Sequence, residues 1–294
     1  MKSLAILGST GSIGENTLKV YEKNKINFDL IFLAAHKNLK KLLKQKKKYN
    51  PKKIFLLNEN NIKNKRNVNV SSIEELYKFK DKKKIDYIIS GVSGFESIKI
   101  NFKLLKLCKN LLIANKETII CGGDVFLNNA KKNKCNILPI DSEHHCIDFF
   151  LKNFKFKKED IKTIYLTASG GPFLNKKIVY NEKISNVLKH PNWKMGKKIS
   201  VDSSTFANKV LELFEAKILF KIPSSKIKII IESNSVVHSV INFNNNISFQ
   251  VLHKANMEIP ISNALNLKNK FLLQPESLNI KFFEPNLKKF PIVN

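Results

Sequence analysis

Leu4-Ala-Ile-Leu7 runs straight into Gly8-Ser-Thr-Gly11-Ser-Ile-Gly14, and residues 15–23 continue with the spacing of a helix. Four apolar residues followed by closely spaced glycines read as a first strand, a tight turn and the start of a first helix. Glycines at such a turn let the backbone approach a pyrophosphate, and the helix start presents N–H groups and positive dipole to it. The turn alone would also suit a chain that binds nothing; the pattern around it favours the binding reading. Short apolar segments at 30–35, 53–57, 85–90, 111–114 and 137–140 alternate with polar stretches of helical spacing such as 38–48 and 97–108. This alternation predicts a doubly wound parallel sheet, an α/β Rossmann-like N-terminal domain over residues 1–140.

Beyond residue 140 the texture changes. Strands expected at 162–167, 228–232, 235–243 and 247–252 read as antiparallel, with one helix from about 204 to 220 after a long loop. The expectation is an α+β catalytic domain over 141–266, with a flexible loop at about 185–197. The tail 267–294 carries Pro275, Pro285 and Pro291 and reads as an extended linker.

The 294 residues are 43% hydrophobic, enough for two cores. A formal charge of +28 raises nucleic-acid binding, but Arg66 is the single arginine, and nucleic-acid sites lean on Arg for bidentate recognition. The lysines are spread along the chain among Asn, Ile and Phe, which reads as compositional bias, so no nucleic-acid partner is expected. Such a field still attracts phosphorylated ligands. No apolar run is long enough to span a bilayer, and the N-terminus enters its Gly-rich turn too early for a signal peptide. A cytoplasmic location without a membrane partner follows as the expectation. Cys108, Cys121, Cys135 and Cys146 form no C-x-x-C pair and read as reduced structural residues.

Where an NAD enzyme places an acid on the ribose hydroxyls, this chain has Ala34-Ala-His-Lys-Asn38. Lys37, with His36, favours a 2′-phosphate and so NADPH over NADH, although Lys37 is also one lysine among many. Ser90-Gly-Val-Ser-Gly94 and Asn115-Lys-Glu117 follow further strands expected to line the same crevice. Asp141 and Glu143 stand two apart at a strand end, where extended backbone would point both carboxylates to one side. Asn208 and Glu212, four apart on a helix, share a face with Lys209 one step round. Three carboxylates from two elements, without Cys or paired His, suit a hard ion such as Mg²⁺ or Mn²⁺. Taken singly, each acid is more often a surface charge or a helix cap. Ser169 and its glycines suit a phosphate-cradling turn, and the only Trp, in His190-Pro-Asn-Trp-Lys-Met-Gly196, reads as part of a lid.

Six motifs in this order, Gly-Ser-Thr-Gly-Ser-Ile-Gly, Ala-Asn-Lys-Glu, Asp-Ser-Glu-His, Ser-Gly-Gly-Pro-Phe, His-Pro-Asn-Trp-x-Met-Gly and Asp-Ser-x-Thr-x-x-Asn-Lys-x-Leu-Glu, resemble the 1-deoxy-D-xylulose 5-phosphate reductoisomerases. The resemblance runs from Ser3 to about Pro291. It implies that Asp141, Glu143 and Glu212 hold the metal, Co²⁺ being a further candidate ion, and that with Lys209 they form the catalytic set. It implies substrate contacts from Ser142, Ser169, Ser203, Asn208 and Lys209 beside Glu143 and Glu212, and a closing loop with His190, Trp193 and Met195. Thr10, Gly11, Ser12, Ile13, Lys37, Asn38, Asn115, Lys116, Glu117 and Gly196 would contact NADPH. The implied reaction rearranges a sugar phosphate and reduces it with NADPH, in a homodimer, as a step of non-mevalonate isoprenoid synthesis.

The chain departs from the family pattern at His36 for Gly, at His145 for Asn, at Glu232-Ser-Asn-Ser for His-Pro-Gln-Ser, and at Glu258 for Arg. The resemblance also leads to the expectation that the family's C-terminal helical domain is absent. These departures motivate the alternative of a catalytically decayed, truncated homologue that retains nucleotide or partner binding.

Overall fold

The computed structural model describes residues 1–58, 70–79, 83–174, 181–193 and 195–267, and the backbone of Leu287–Lys288. They form two compact units, one of Met1–Ile140 with the stretch that begins at Ile261, the other built on Asp141–Pro260.

In the first unit the chain alternates β1 (Lys2–Leu7), α1 (Ser12–Lys23), β2 (Phe28–Ala35), α2 (Leu39–Tyr49), β3 (Lys53–Leu56) and α3 (Ile73–Lys78). It continues with β4 (Ile85–Ser90), α4 (Glu96–Leu104), β5 (Cys108–Ile113), α5 (Lys116–Lys132) and β6 (Asn136–Pro139). The strands are parallel in the order β3-β2-β1-β4-β5-β6. Strand order reverses between β1 and β4, and a crevice opens at such a point beyond the carboxyl ends of the strands. Leu4, Ala5, Ile6 and Leu7 are all 0% exposed. A parallel strand covered on both faces needs such a continuous apolar run, which is why the Rossmann-like sheet was legible. Side-chain caps start the helices: Asn38 accepts from Lys41 N, Ser72 from Glu75 N and Asn115 from Thr118 N.

The second unit holds α6 (Ser142–Asn153), β7 (Ile161–Ala168), α7 (Ile184–Val187), α8 (Lys197–Ser204), α9 (Ala207–Phe220), β8 (Ile227–Glu232), β9 (Val237–Phe243) and β10 (Ser248–Leu252). The turn α10 (Glu258–Ala264) spans the boundary of the units, and β11 (Leu287–Lys288) pairs with β8. The sheet order is β10-β9-β7-β8-β11. Two sequence expectations are corrected here. β8 runs parallel to β7, whereas β9 and β10 are antiparallel as expected. The reason is the crossover: the chain leaves β7, passes through α7 to α9 and returns α9 against both strands, a connection that enforces a parallel partner. The helix expected from about 204 to 220 is α9, which begins after Phe206 at a left-handed φ of +65°; the correction is to the loop before it, part of which is the separate helix α8. Ile147 and Phe150 of α6, Ile164 and Leu166 of β7, and Ala216 and Phe220 of α9 join one core. The rest of the expected linker lies outside the described residues. Among those described, no helix is long and apolar enough to cross a membrane.

Candidate active site

The β1–α1 turn is closed by close backbone approach. Gly8 has φ +82°, and a Cβ on it would stand 2.9 Å from the Gly91 carbonyl carbon after β4. A Cβ on Gly14 would fall on Gly8 O and the Ser9 backbone. Ser9 Oγ donates to Gln45 Oε1 at 2.7 Å, and Gln45 Nε2 donates back to Ser9 O at 2.9 Å, so α2 clamps the turn from behind. Thr10, Gly11, Ser12 and Ile13 therefore sit where α1 begins, with Gly11 at its N-cap. The first N–H groups of a helix lack intrahelical acceptors, and this cradle fits a pyrophosphate.

Lys37 and Asn38 follow β2 and are exposed; His36 Nε2 lies 3.7 Å from Glu96 Oε2. Asn115, Lys116 and Glu117 open α5 at the same sheet edge, with Asn115 Nδ2 donating to Glu117 Oε2 at 2.7 Å. A buried chain runs beneath them: Ser90 Oγ donates to Asn101 Oδ1 at 2.7 Å, and Asn101 Nδ2 donates to Thr118 Oγ1 at 2.8 Å. Gln45, Asn101 and Thr118 gave no motif signal, because their work is in contacts between elements. Reversing the charge with Lys37→Glu should raise the KM for NADPH about 30-fold and leave that for NADH within about twofold, on a 2′-phosphate ion pair of roughly 2 kcal/mol. Steady-state kinetics with both nucleotides checks this; equal effects on the two would remove Lys37 from the 2′-phosphate.

The acids converge in the second unit. Ligand atoms of Asp141, Glu143 and Glu212 all lie within 4.8 Å of one another. The extended geometry expected for Asp141 and Glu143 is corrected: β6 ends at Pro139, Asp141 is the N-cap of α6, and Glu143 lies in its first turn. A helix start favours carboxylates electrostatically and turns both toward α9 without an extended backbone. Lys209 Nζ donates to Glu143 Oε1 and Glu212 Oε2, each at 2.5 Å, and is 6% exposed. Burial works against its charge, but Glu143, Glu212 and Asp141 outweigh it and raise the ammonium above its ordinary pKa.

Asn208 Nδ2 donates to Glu212 Oε1, while its buried Oδ1 accepts no hydrogen bond among the described residues. Ser142 Oγ donates to Glu143 Oε2 at 2.5 Å. Behind them, His144 Nδ1 stands 3.5 Å from Asp141 Oδ1 and 3.4 Å from Glu215 Oε2, and its Nε2 is 2.9 Å from Glu212 O. Burial alone would lower the imidazole pKa; Glu215, Asp141 and Glu212 carry it up to about 9. Four carboxylates, Asp141, Glu143, Glu212 and Glu215, thus surround Lys209 and a protonated His144. The all-oxygen donor set of Asp141, Glu143 and Glu212 fits a hard divalent cation. His144 and Glu215 were missed in the sequence, although their i,i+3 spacings from Asp141 and Glu212 were a usable signal.

The remaining expected substrate residues gather on adjacent turns. Gly170 and Gly171 have φ of +87° and +69°, and a Cβ on Gly171 would lie 2.8 Å from Ser203 O, so the Ser169 turn abuts α8. His190 Nδ1 accepts from Asn192 N at 3.2 Å and Trp193 N at 3.0 Å. Its proton therefore resides on Nε2, 2.8 Å from Ser169 Oγ, and the serine hydroxyl is left to donate elsewhere. Burial, and then Lys209, lowers the His190 pKa and keeps that tautomer neutral. Trp193 stands edge-on to His238, centroids 6.1 Å apart. Met195 and Gly196 lead into α8, so Gly196 lies in the second unit, apart in the chain from the other expected cofactor residues. His238 stacks on His253 at 3.8 Å, a pairing the sequence did not announce.

Residues 4–123 match the family model for 1-deoxy-D-xylulose 5-phosphate reductoisomerase, and residues 137–220 match that for the C-terminal domain of the same enzyme. The 1-deoxy-D-xylulose 5-phosphate reductoisomerase of Pelagibacter ubique is 40% identical over 309 residues, covering 100% of this chain and 79% of the relative. A crystal structure of DOX-P reductoisomerase with NADPH, fosmidomycin and magnesium superimposes with a TM-score of 0.87 at 32% identity, over 98% of this chain and 75% of that one. The Zymomonas mobilis enzyme in complex with NADPH gives 0.82 at 26% identity, over 98% and 76%.

Proposed function

This chain belongs to the 1-deoxy-D-xylulose 5-phosphate reductoisomerase family, and from that membership we infer that the acid cluster of the second unit is its reaction centre. The protein is an NADPH-dependent enzyme that converts 1-deoxy-D-xylulose 5-phosphate to 2-C-methyl-D-erythritol 4-phosphate with a divalent cation, in the non-mevalonate isoprenoid pathway. The observation that carries the assignment of the centre is the convergence of Asp141, Glu143 and Glu212 within 4.8 Å around the Lys209 ammonium.

Bound there, a divalent ion supplies Lewis-acid stabilisation of the substrate oxygens during carbon–carbon cleavage and re-formation, and NADPH supplies the hydride that reduces the resulting aldehyde. The chain's own groups do the rest. Asp141, Glu143 and Glu212 hold the ion, and His144 braces Asp141 against Glu215. Lys209 stays protonated and offers a fixed positive charge to substrate oxygens. Asn208 and Ser142 orient its hydroxyls, and Ser169, with its proton free to donate, takes the phosphate with Ser203. Closure of the segment bearing His190, Trp193 and Met195 excludes water. Thr10 to Ile13, Lys37, Asn38, Asn115 to Glu117 and Gly196 bind the dinucleotide. We take the working form to be a cytoplasmic homodimer.

Purified protein given 1-deoxy-D-xylulose 5-phosphate, NADPH and Mg²⁺ or Mn²⁺ should oxidise one NADPH per substrate consumed, and EDTA should stop it. A folded protein silent with Mg²⁺, Mn²⁺ and Co²⁺ would overturn the reading. The decayed-homologue alternative predicts that silence; the approach of Asp141, Glu143 and Glu212 within 4.8 Å supports the active reading.

A further inference from the structure

The turn between β8 and β9 is built around a buried acid. Glu232 is 0% exposed, and its carboxylate accepts from Asn234 N at 2.9 Å, Val236 N at 2.8 Å and Val237 N at 3.3 Å. The turn it organises holds Ser235 at φ +55°, in the left-handed region, and 4% exposed. A carboxylate accepting several backbone N–H groups makes a rigid turn, because each neighbouring donor is tied to one point.

Asn192 reaches that turn from the His190–Trp193 segment. Its Nδ2 donates to Ser233 O at 2.6 Å and to Ser235 Oγ at 2.9 Å, using both amide hydrogens. The Asn192 side chain is otherwise exposed, and the segment's opposite anchor is the His190–Ser169 hydrogen bond at 2.8 Å. Between the two anchors lies Trp193, edge-on to His238. One anchor is therefore on the phosphate-binding turn and can respond to substrate; the other is on a preformed turn that cannot. We propose that the Glu232–Val236 turn is a latch for the closing segment, with Asn192 and Ser235 as positioning residues for the reaction. The proposal rests on the reading that this segment covers the substrate. Its chemistry is specific to this chain's Glu232-Ser-Asn-Ser, since the latch needs the Glu232 carboxylate to fix Ser235.

Trp193 is the only tryptophan, so its fluorescence reports on the segment alone. Asn192→Ala removes the amide that donates to Ser233 O and Ser235 Oγ. It should lower kcat/KM for 1-deoxy-D-xylulose 5-phosphate about tenfold, mostly through KM, as expected for losing two ordinary hydrogen bonds. The KM for NADPH should not move, the melting temperature should hold, and acrylamide quenching of Trp193 should roughly double. Ser235→Ala, which removes only Oγ, should act in the same direction at about threefold. The double variant should match Asn192→Ala alone, because both changes break the Asn192–Ser235 contact. Unchanged quenching and KM in folded Asn192→Ala would overturn the latch, as would fully additive effects in the double variant. A wild-type protein without turnover would instead overturn the activity reading, while the quenching comparison would still decide the latch.

Discussion

Glu212→Gln should abolish turnover, by about a thousandfold or more, while the protein stays folded and still binds NADPH. Metal-assisted stabilisation of developing oxyanions is worth several kcal/mol, and losing about 4 kcal/mol of it is a factor of roughly 10³. Glu212 is 1% exposed and is held by Asn208 and Lys209, so its carboxylate oxygens have no freedom to rearrange. The amide keeps one acceptor for Asn208 and nearly the same volume, which separates loss of charge from loss of packing. Removing one negative charge also leaves Lys209 better matched by Glu143 alone, so a divalent ion has to bind a less negative cluster. Turnover against Mg²⁺ and Mn²⁺ concentration, with NADPH binding followed separately, checks it. Activity within tenfold of wild type at saturating metal would remove Glu212 from the ion's ligands.

Acid will destabilise the second unit well before its carboxylates titrate. His145, His238 and His253 are held by burial, and then by neighbouring positive groups, at about 3, 4 and 3, far below the ordinary imidazole. The unfolded chain takes up their protons near pH 6.5 while the folded chain does not, so stability is present above that pH and is lost as pH falls toward the folded values. Each group loses about 1.6 kcal/mol between pH 6.5 and 5, so the three together lose about 5 kcal/mol, a large share of a domain's stability. His144 has the opposite sign: raised to about 9, its contribution is complete below pH 6.5 and disappears as pH rises through 9. The urea midpoint, followed by circular dichroism from pH 5 to 9, should therefore peak near neutrality. His253→Phe keeps the ring stack on His238 and should flatten the acid limb by about one proton. A midpoint that does not change between pH 7 and 5 would contradict this account.

The sheet of the first unit was legible because its information is local. Leu4 to Leu7 must be apolar at every position to be covered on both faces, and Gly8 and Gly14 must lack a Cβ where backbones meet. The candidate site residues were legible for the same reason, since Asp141 with Glu143 and Asn208 with Glu212 lie in contiguous motifs. Strand direction in the second unit was not legible: the alternation along β8 is the same whether its neighbour is parallel or antiparallel, and only the return of α9 decided it. Nor was the true backbone at Asp141, which a helix start rather than a strand end places beside α9.

By itself the sequence determined the elements, the nucleotide turn and the chemical types available for a metal and a phosphate. Tertiary structure alone decided that Glu143 meets Lys209 across 66 residues, that His144 lies between two carboxylates, that His238 stacks on His253, and that Asn192 reaches Ser235. Turn geometry and strand burial are set by neighbours in the chain; these contacts depend on how packed elements bring distant side chains within hydrogen-bond reach, which no local periodicity encodes.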